Sequence, residues 1–66
     1  MEYQDRLFNE KSELDKKIEK LSVFLGSEKF NCVDGDEQKM LRRQLSVMIE
    51  YSSILAHRIS KFSIGE

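Results

Sequence analysis

The side chains best suited to bind a ligand in this chain are two tyrosines, three cations and a serine, divided between its two halves. They are Tyr3, Arg6, Lys11, Tyr51, Ser52 and Arg58. Tyrosine rings can stack on other flat rings, and the cations can donate charge-assisted hydrogen bonds to phosphate oxygens. If the fold brings these residues together, they form a site for a small anion that carries an aromatic group.

Two long helices are predicted to position these side chains. Apolar residues recur at helical spacing from about residue 2 to 25 and from about 36 to 62, and the chain contains no proline. Residues 26–35 form a polar connection, whose apolar residues Phe30 and Val33 we expect to cover the closed end of the hairpin. A connection this short makes the helices antiparallel neighbours. The predicted fold is therefore a single all-α antiparallel hairpin spanning residues 1–66.

The residues around the connection also predict how the two helices end and begin. Gly26 is well placed to end the first helix in a left-handed turn. Asp34 and Glu37 have the spacing of a capping box at the start of the second helix, and Asp36 is an alternative N-cap.

The second helix has more apolar surface than one partner helix can cover. Its first seam is Leu41, Leu45, Met48, Ser52, Leu55, Ile59 and Phe62, and its second seam is Met40, Gln44, Val47, Tyr51, Ile54 and Arg58. The first helix offers one matching stripe, which is Tyr3, Leu7, Lys11, Leu14, Ile18, Leu21 and Leu25. The uncovered seam predicts that the hairpin assembles into a helical-bundle homo-oligomer or docks on another protein.

One layer of the predicted hairpin is polar on both helices. Facing residues of an antiparallel hairpin have a nearly constant sum of positions, here about 61. Lys11 and Ser52, which interrupt their stripes, then lie at the same height. This layer can be part of a ligand pocket. It can also be structural, with Lys11 reaching Glu50 and the polar layer fixing the register.

Composition excludes several functional classes. The formal net charge is −1, whereas a protein that binds duplex nucleic acid normally carries a basic excess. One cysteine and one histidine cannot form a structural zinc site within one chain, and we expect no metal and no cofactor. No nucleophile, base and orienting acid can be assembled, so we expect no enzyme. No apolar run approaches membrane-spanning length, and the unpaired thiol fits a reducing cytosol.

The sequence resembles a group of small bacteriophage proteins found in crAss-like and other tailed phages. The resemblance lies in the runs Tyr3–Arg6 and Glu10–Leu21, and in Gln44, Met48, Tyr51, Leu55 and Arg58-Ile59. That group is loosely similar to the helical-hairpin domain of phage sponge proteins, which defeat the CBASS and Thoeris defences by sequestering cyclic nucleotide signals. The resemblance implies compact homo-oligomers, often hexamers, with a ligand between protomers, an aromatic ring stacked on a base, and Lys or Arg at the phosphates.

Together these observations lead to two functional hypotheses. In the first, the protein is a phage sponge in the cytoplasm of the infected bacterium, and it sequesters a cyclic di- or trinucleotide in pockets between protomers. Lys11 and Arg58 would contact phosphate and Tyr3 or Tyr51 would stack. Arg6 and Ser52 would complete the polar contacts. In the second, the hairpin is a non-enzymatic interaction module whose second seam binds a host or phage protein.

Overall fold

The computed structural model describes residues 2–64, which form two long α-helices and no strand. Helix α1 spans Glu2–Leu25, a short 3-10 helix spans Glu28–Cys32, and helix α2 spans Gly35–Ile64. The described part of the chain is therefore all-α, which confirms the predicted fold class. At 1.5 Å per residue, the two α-helices are roughly 36 and 45 Å long.

The two helices lie side by side and run in opposite directions. Arg58 of α2 donates a hydrogen bond to Tyr3 near the start of α1, and Tyr51 donates one to Glu10. The positions of each pair sum to 61, which agrees with the register expected from the sequence. The result is a rod with extents of 50 × 15 × 14 Å.

The first seam of α2 packs against α1, and the second seam does not. Leu55 of the first seam is fully buried, Leu7 of α1 is 3% exposed, and the other members of the first seam are half-buried. In the second seam, Met40, Val47 and Ile54 each remain about half exposed. The hairpin therefore leaves the second seam uncovered, and Phe8, Val23 and Ile49, which lie outside this seam, are also at least half exposed.

The connection closes one end of the hairpin through Phe30. This ring is 3% exposed and meets the ring of Phe24 edge to face, with 5.9 Å between centroids. The Arg42 guanidinium lies 5.1 Å from the Phe30 centroid, so it makes a cation–π contact. Gln38 donates to the carbonyl oxygens of Phe30 and Val33, at 2.9 and 3.0 Å. These contacts hold the connection against the start of α2.

The helix ends differ from the sequence prediction at Gly26. Neither Gly26 nor Gly35, the two glycines in the described part of the chain, has a positive φ, so the predicted left-handed turn at Gly26 is wrong. Instead the Gly26 N–H bonds to the carbonyls of Ser22 and Val23, and the Ser27 hydroxyl donates to the Phe24 carbonyl. At the start of α2 the Asp34 carboxylate accepts the Asp36 N–H at 3.1 Å, so Asp34 is the cap.

Candidate functional site

A polar pocket lies between the two helices at the open end of the hairpin, away from the connection. Its volume is about 310 Å³, and it is lined by Tyr3, Arg6, Leu7, Glu10 and Arg58. Residues three and four apart share a face of a helix, so Tyr3, Arg6 and Glu10 form one edge of α1. Arg58 faces them from α2. The fold thus brings together three of the six predicted site residues.

Two hydrogen bonds tie the helices together at this pocket. Arg58 Nη2 donates to the Tyr3 hydroxyl at 2.7 Å, and this bond is the main reason that the pKa of Arg58 lies above its ordinary value. The Tyr51 hydroxyl donates to Glu10 Oε2, which raises the pKa of Tyr51. Arg58 therefore stays cationic and Tyr51 stays protonated at neutral pH. Tyr51 lies beside the pocket and orients Glu10, the one acidic residue that lines it.

The Tyr3 ring is held at the mouth of the pocket by an aromatic cluster. It meets Phe62 edge to face, with 6.1 Å between centroids, and Phe8 meets Phe62 in the same manner at 6.3 Å. Tyr3 is nevertheless 57% exposed. A positioned ring that remains accessible can offer a flat surface to a ligand.

Lys11 and Ser52 lie at a similar height but form a separate cluster around Asp15. Lys11 Nζ pairs with Asp15 Oδ2 at 2.7 Å, and Ser52 Oγ donates to Asp15 Oδ1 at 2.6 Å. The Lys11 and Ser52 hydrogen bonds hold the pKa of Asp15 below its ordinary value, while burial acts in the opposite direction. Lys11 and Ser52 do not line the open-end pocket. Their cluster joins α1 to α2 and can fix the register.

A second concavity, which we name the closed-end groove, lies between the helices near the connection. Its volume is about 370 Å³, and its lining residues are Lys17, Lys20, Leu21, Phe24, Gln44 and Met48. Lys17, Lys20 and Phe24 continue the stripe of α1 that carries Tyr3, Arg6 and Glu10, because with Glu13 between the two sets every step is three or four residues. The groove and the open-end pocket therefore share one face of the hairpin.

Sequence reasoning offered Glu10 as a partner of Arg6 or Arg58, but it missed Glu10 as the partner of Tyr51. It also missed Asp15 as the partner of Lys11 and Ser52. For Glu10 a signal existed, since its position and that of Tyr51 sum to the expected 61. For Asp15 the signal was its spacing of four from Lys11. Nothing in the spacing of Lys17 and Lys20 alone marks a groove.

Chemically, the open-end pocket can bind an anion and a flat ring, and it offers one carboxylate as an acceptor. Within residues 2–64 no group of three or more His, Cys, Asp or Glu side chains is arranged to hold a metal ion. Neither helix of this described part has an apolar stretch that could cross a membrane.

Comparison with known proteins places the chain in a family. It is 42% identical over 60 residues to the "Uncharacterized 7.5 kDa protein in denB-rIIB intergenic region" of Enterobacteria phage T4, a match that covers 91% of this chain and 94% of the phage protein. No solved structure matches significantly. The Sequestin family matches residues 1–61. These findings confirm the expected relation to small phage proteins, while the crAss-like type stays a prediction. With nearly its whole length matched, the chain belongs to the Sequestin family.

Proposed function

We propose that this protein is a phage anti-defence sponge that sequesters a cyclic oligonucleotide immune signal in the cytoplasm of the infected bacterium. The observation that carries the proposal is the open-end pocket, which Arg6, Arg58 and the accessible Tyr3 line together. The name of the Sequestin family, which denotes sequestration, supports the same function, and the relative in phage T4 supports its assignment to a phage.

The chemistry of the pocket fits a ligand with phosphates and bases. A guanidinium has five N–H donors, and the bond from Arg58 to Tyr3 occupies one of its nitrogens, so others can reach phosphate oxygens. The ring of Tyr3 can stack on a base, and the Glu10 carboxylate can accept a hydrogen bond from a base or a ribose hydroxyl. No catalytic group is required, so the protein would bind its ligand and release it unchanged.

The size of the pocket favours a site shared between protomers. Ligand pockets usually measure about 300–1,000 Å³, and the open-end pocket lies at the lower limit of that range. One protomer can therefore hold about one nucleotide, and a cyclic di- or trinucleotide needs a homo-oligomer. The exposed second seam of α2 provides the apolar surface for such an assembly.

The test is titration by calorimetry with a panel of cyclic dinucleotides, cyclic trinucleotides and cyclic ADP-ribose. We expect tight binding of at least one cyclic di- or trinucleotide, and its recovery intact by chromatography after heat denaturation of the complex. If only cyclic ADP-ribose binds, the sequestering function stands and the proposed ligand class, a cyclic oligonucleotide, is wrong. No heat change with any of them at high micromolar concentration refutes the proposal.

Variants show whether the pocket is the binding site. We expect Arg6→Ala and Arg58→Ala each to lose roughly 10- to 100-fold in affinity, the value of a charge-assisted hydrogen bond. Lys16→Ala, an exposed cation outside the pocket, is the matched control and should bind normally. Lys11→Ala tests the sequence prediction for Lys11, whose ammonium is held by Asp15 in this structure.

The second hypothesis, an interaction module, is favoured by the same exposed second seam, in which Met40, Val47 and Ile54 are accessible. Light scattering separates the two. A closed oligomer that binds nucleotides supports the sponge, whereas a monomer that binds none and associates with a host or phage protein supports the interaction module.

A further inference from the structure

We propose that a second copy of this chain covers the face that carries the second seam, in a head-to-tail orientation, so that each open-end pocket is closed by the partner's closed-end groove. This inference rests on the proposed function, which it deepens by naming the residues that the partner adds. It follows from the positions of the two concavities and of the exposed apolar residues.

The two concavities lie at opposite ends of one face. The open-end pocket is centred near residue 7 of α1 and the closed-end groove near residue 20, which at 1.5 Å per residue separates them by roughly 20 Å. Their midpoint is close to residue 13 or 14 of α1. In the register of the hairpin, where facing positions sum to 61, this height corresponds to Val47 of α2.

The exposed apolar residues of the second seam have the same centre. Met40, Val47 and Ile54 are spaced by seven, so they form one line on α2 that is symmetric about Val47. A two-fold axis that lies in the interface between the copies and crosses the rods at the height of Val47 pairs Val47 with itself and Met40 with the partner's Ile54. The same axis exchanges the open-end pocket and the closed-end groove. Two independent features therefore select one symmetry operation.

The area of the face is sufficient for a stable dimer. The rod measures 50 Å by 15 Å, so the face covers about 750 Å² per copy, close to the roughly 800 Å² that each partner buries in a standard interface. Along α2 the centre of this face is apolar, whereas along α1 it carries the exposed charged residues Glu10, Glu13 and Lys17.

When the partner's closed-end groove covers the open-end pocket, it adds further cations and a second aromatic ring. Arg6 and Arg58 would be joined by the partner's Lys17 and the partner's Lys20, against the single carboxylate of Glu10. The partner's Phe24 adds a second aromatic surface opposite Tyr3. Four cations and one acid leave an excess of positive charge, which suits a ligand with two phosphates placed between two rings. The dimer would then contain two equivalent sites.

Disulfide cross-linking tests the orientation without any ligand. In a Cys32→Ser background, which removes the exposed native thiol, we expect Val47→Cys to cross-link with itself under mild oxidation. Met40→Cys and Ile54→Cys should cross-link when mixed and not when each is alone. Ser46→Cys, which is exposed but off this face, is the control. Self-cross-linking of Met40→Cys and of Ile54→Cys without cross-linking in the mixture would show a parallel dimer and overturn the proposal, as would a monomer without cross-links.

Subunit complementation tests the shared site, with cyclic di-AMP as the probe. Arg58→Ala and Lys17→Ala should each weaken binding roughly 10- to 100-fold, because each removes a charge-assisted contact from both sites. In mixed dimers one site loses both cations and the other keeps both, so mixing the variants should restore about a quarter of the wild-type sites. No restoration means that the two residues do not share a site between copies. If the cysteine variants cross-link as expected but the wild type does not bind cyclic di-AMP, the dimer stands and the nucleotide proposal is what fails.

Discussion

Replacing Leu55 should destabilise this hairpin more than replacing its neighbour Ile54, although both are large aliphatic residues of α2. Leu55 is 0% exposed, while Ile54 is 52% exposed. Truncation of a fully buried leucine to alanine costs about 2–5 kcal/mol, since it removes apolar contacts and leaves a cavity. A domain of this size has only about 3–5 kcal/mol of stability from its core. Leu55→Ala should therefore unfold a large fraction of the protein at 25 °C.

Urea unfolding followed by circular dichroism at 222 nm measures this difference. At low micromolar protein, Ile54→Ala should stay within about 0.5 kcal/mol of the wild type, as is usual for an exposed residue. At high concentration it should lose stability relative to the wild type if a second copy covers Ile54. A Leu55→Ala variant that unfolds within about 0.5 kcal/mol of the wild type would refute the assignment of the first seam as the core.

Three further predictions concern polar and aromatic contacts. The pKa of Asp15 is lowered in the folded protein, so ionised Asp15 adds to the free energy of unfolding above the unfolded pKa of about 3.8. This stabilisation is lost as pH falls through the lower folded pKa. Urea unfolding at pH 2–7 should show the loss of stability in the wild type and not in Asp15→Asn. Gln38→Ala removes two hydrogen bonds to carbonyls of the connection and should cost about 1–2 kcal/mol by thermal unfolding, whereas Gln4→Ala, outside the connection, should be near neutral. Phe30→Ala should cost about 3–5 kcal/mol by the same measurement, and Arg42→Gln about 0.5–1, because only the first removes the buried ring that also holds the guanidinium. Equal costs for these last two variants would contradict the assignment of Phe30 as the plug of the closed end.

The helices and their register could be predicted because they follow from spacing alone. Steps of three and four identified the seam that contains Leu55, and a constant sum of positions placed Tyr3 opposite Arg58. The 3-10 helix and the end of α1 could not be predicted in this way. Gly26 permits a left-handed turn but does not require one. The carbonyl groups in the last turn of α1 instead accept hydrogen bonds from Gly26 and Ser27.

The candidate site was predicted in part, for a geometric reason. A sum of positions gives the height of a residue along the rod, but it does not give the side of the helix pair on which the side chain lies. Lys11 and Tyr51 have nearly the same height, yet Lys11 turns to Asp15 and Tyr51 turns to Glu10. The rotamer of a long side chain and the charges around it decide which of these partners it contacts. Helical periodicity gives information on neither.

The shape of the hairpin connects its stability with its proposed function. Its accessible surface is 5323 Å², whereas a compact protein of 7.8 kDa exposes about 4,400 Å². Its radius of gyration is 15.1 Å, against about 11 Å for a compact chain of this length. A rod this thin cannot bury most of its apolar residues alone. Since the uncovered face holds both the apolar line through Val47 and the two concavities, covering it would add stability and complete the site in one step. A ligand that bridges two copies must then raise the melting temperature by stabilising the assembly as well as the protomer.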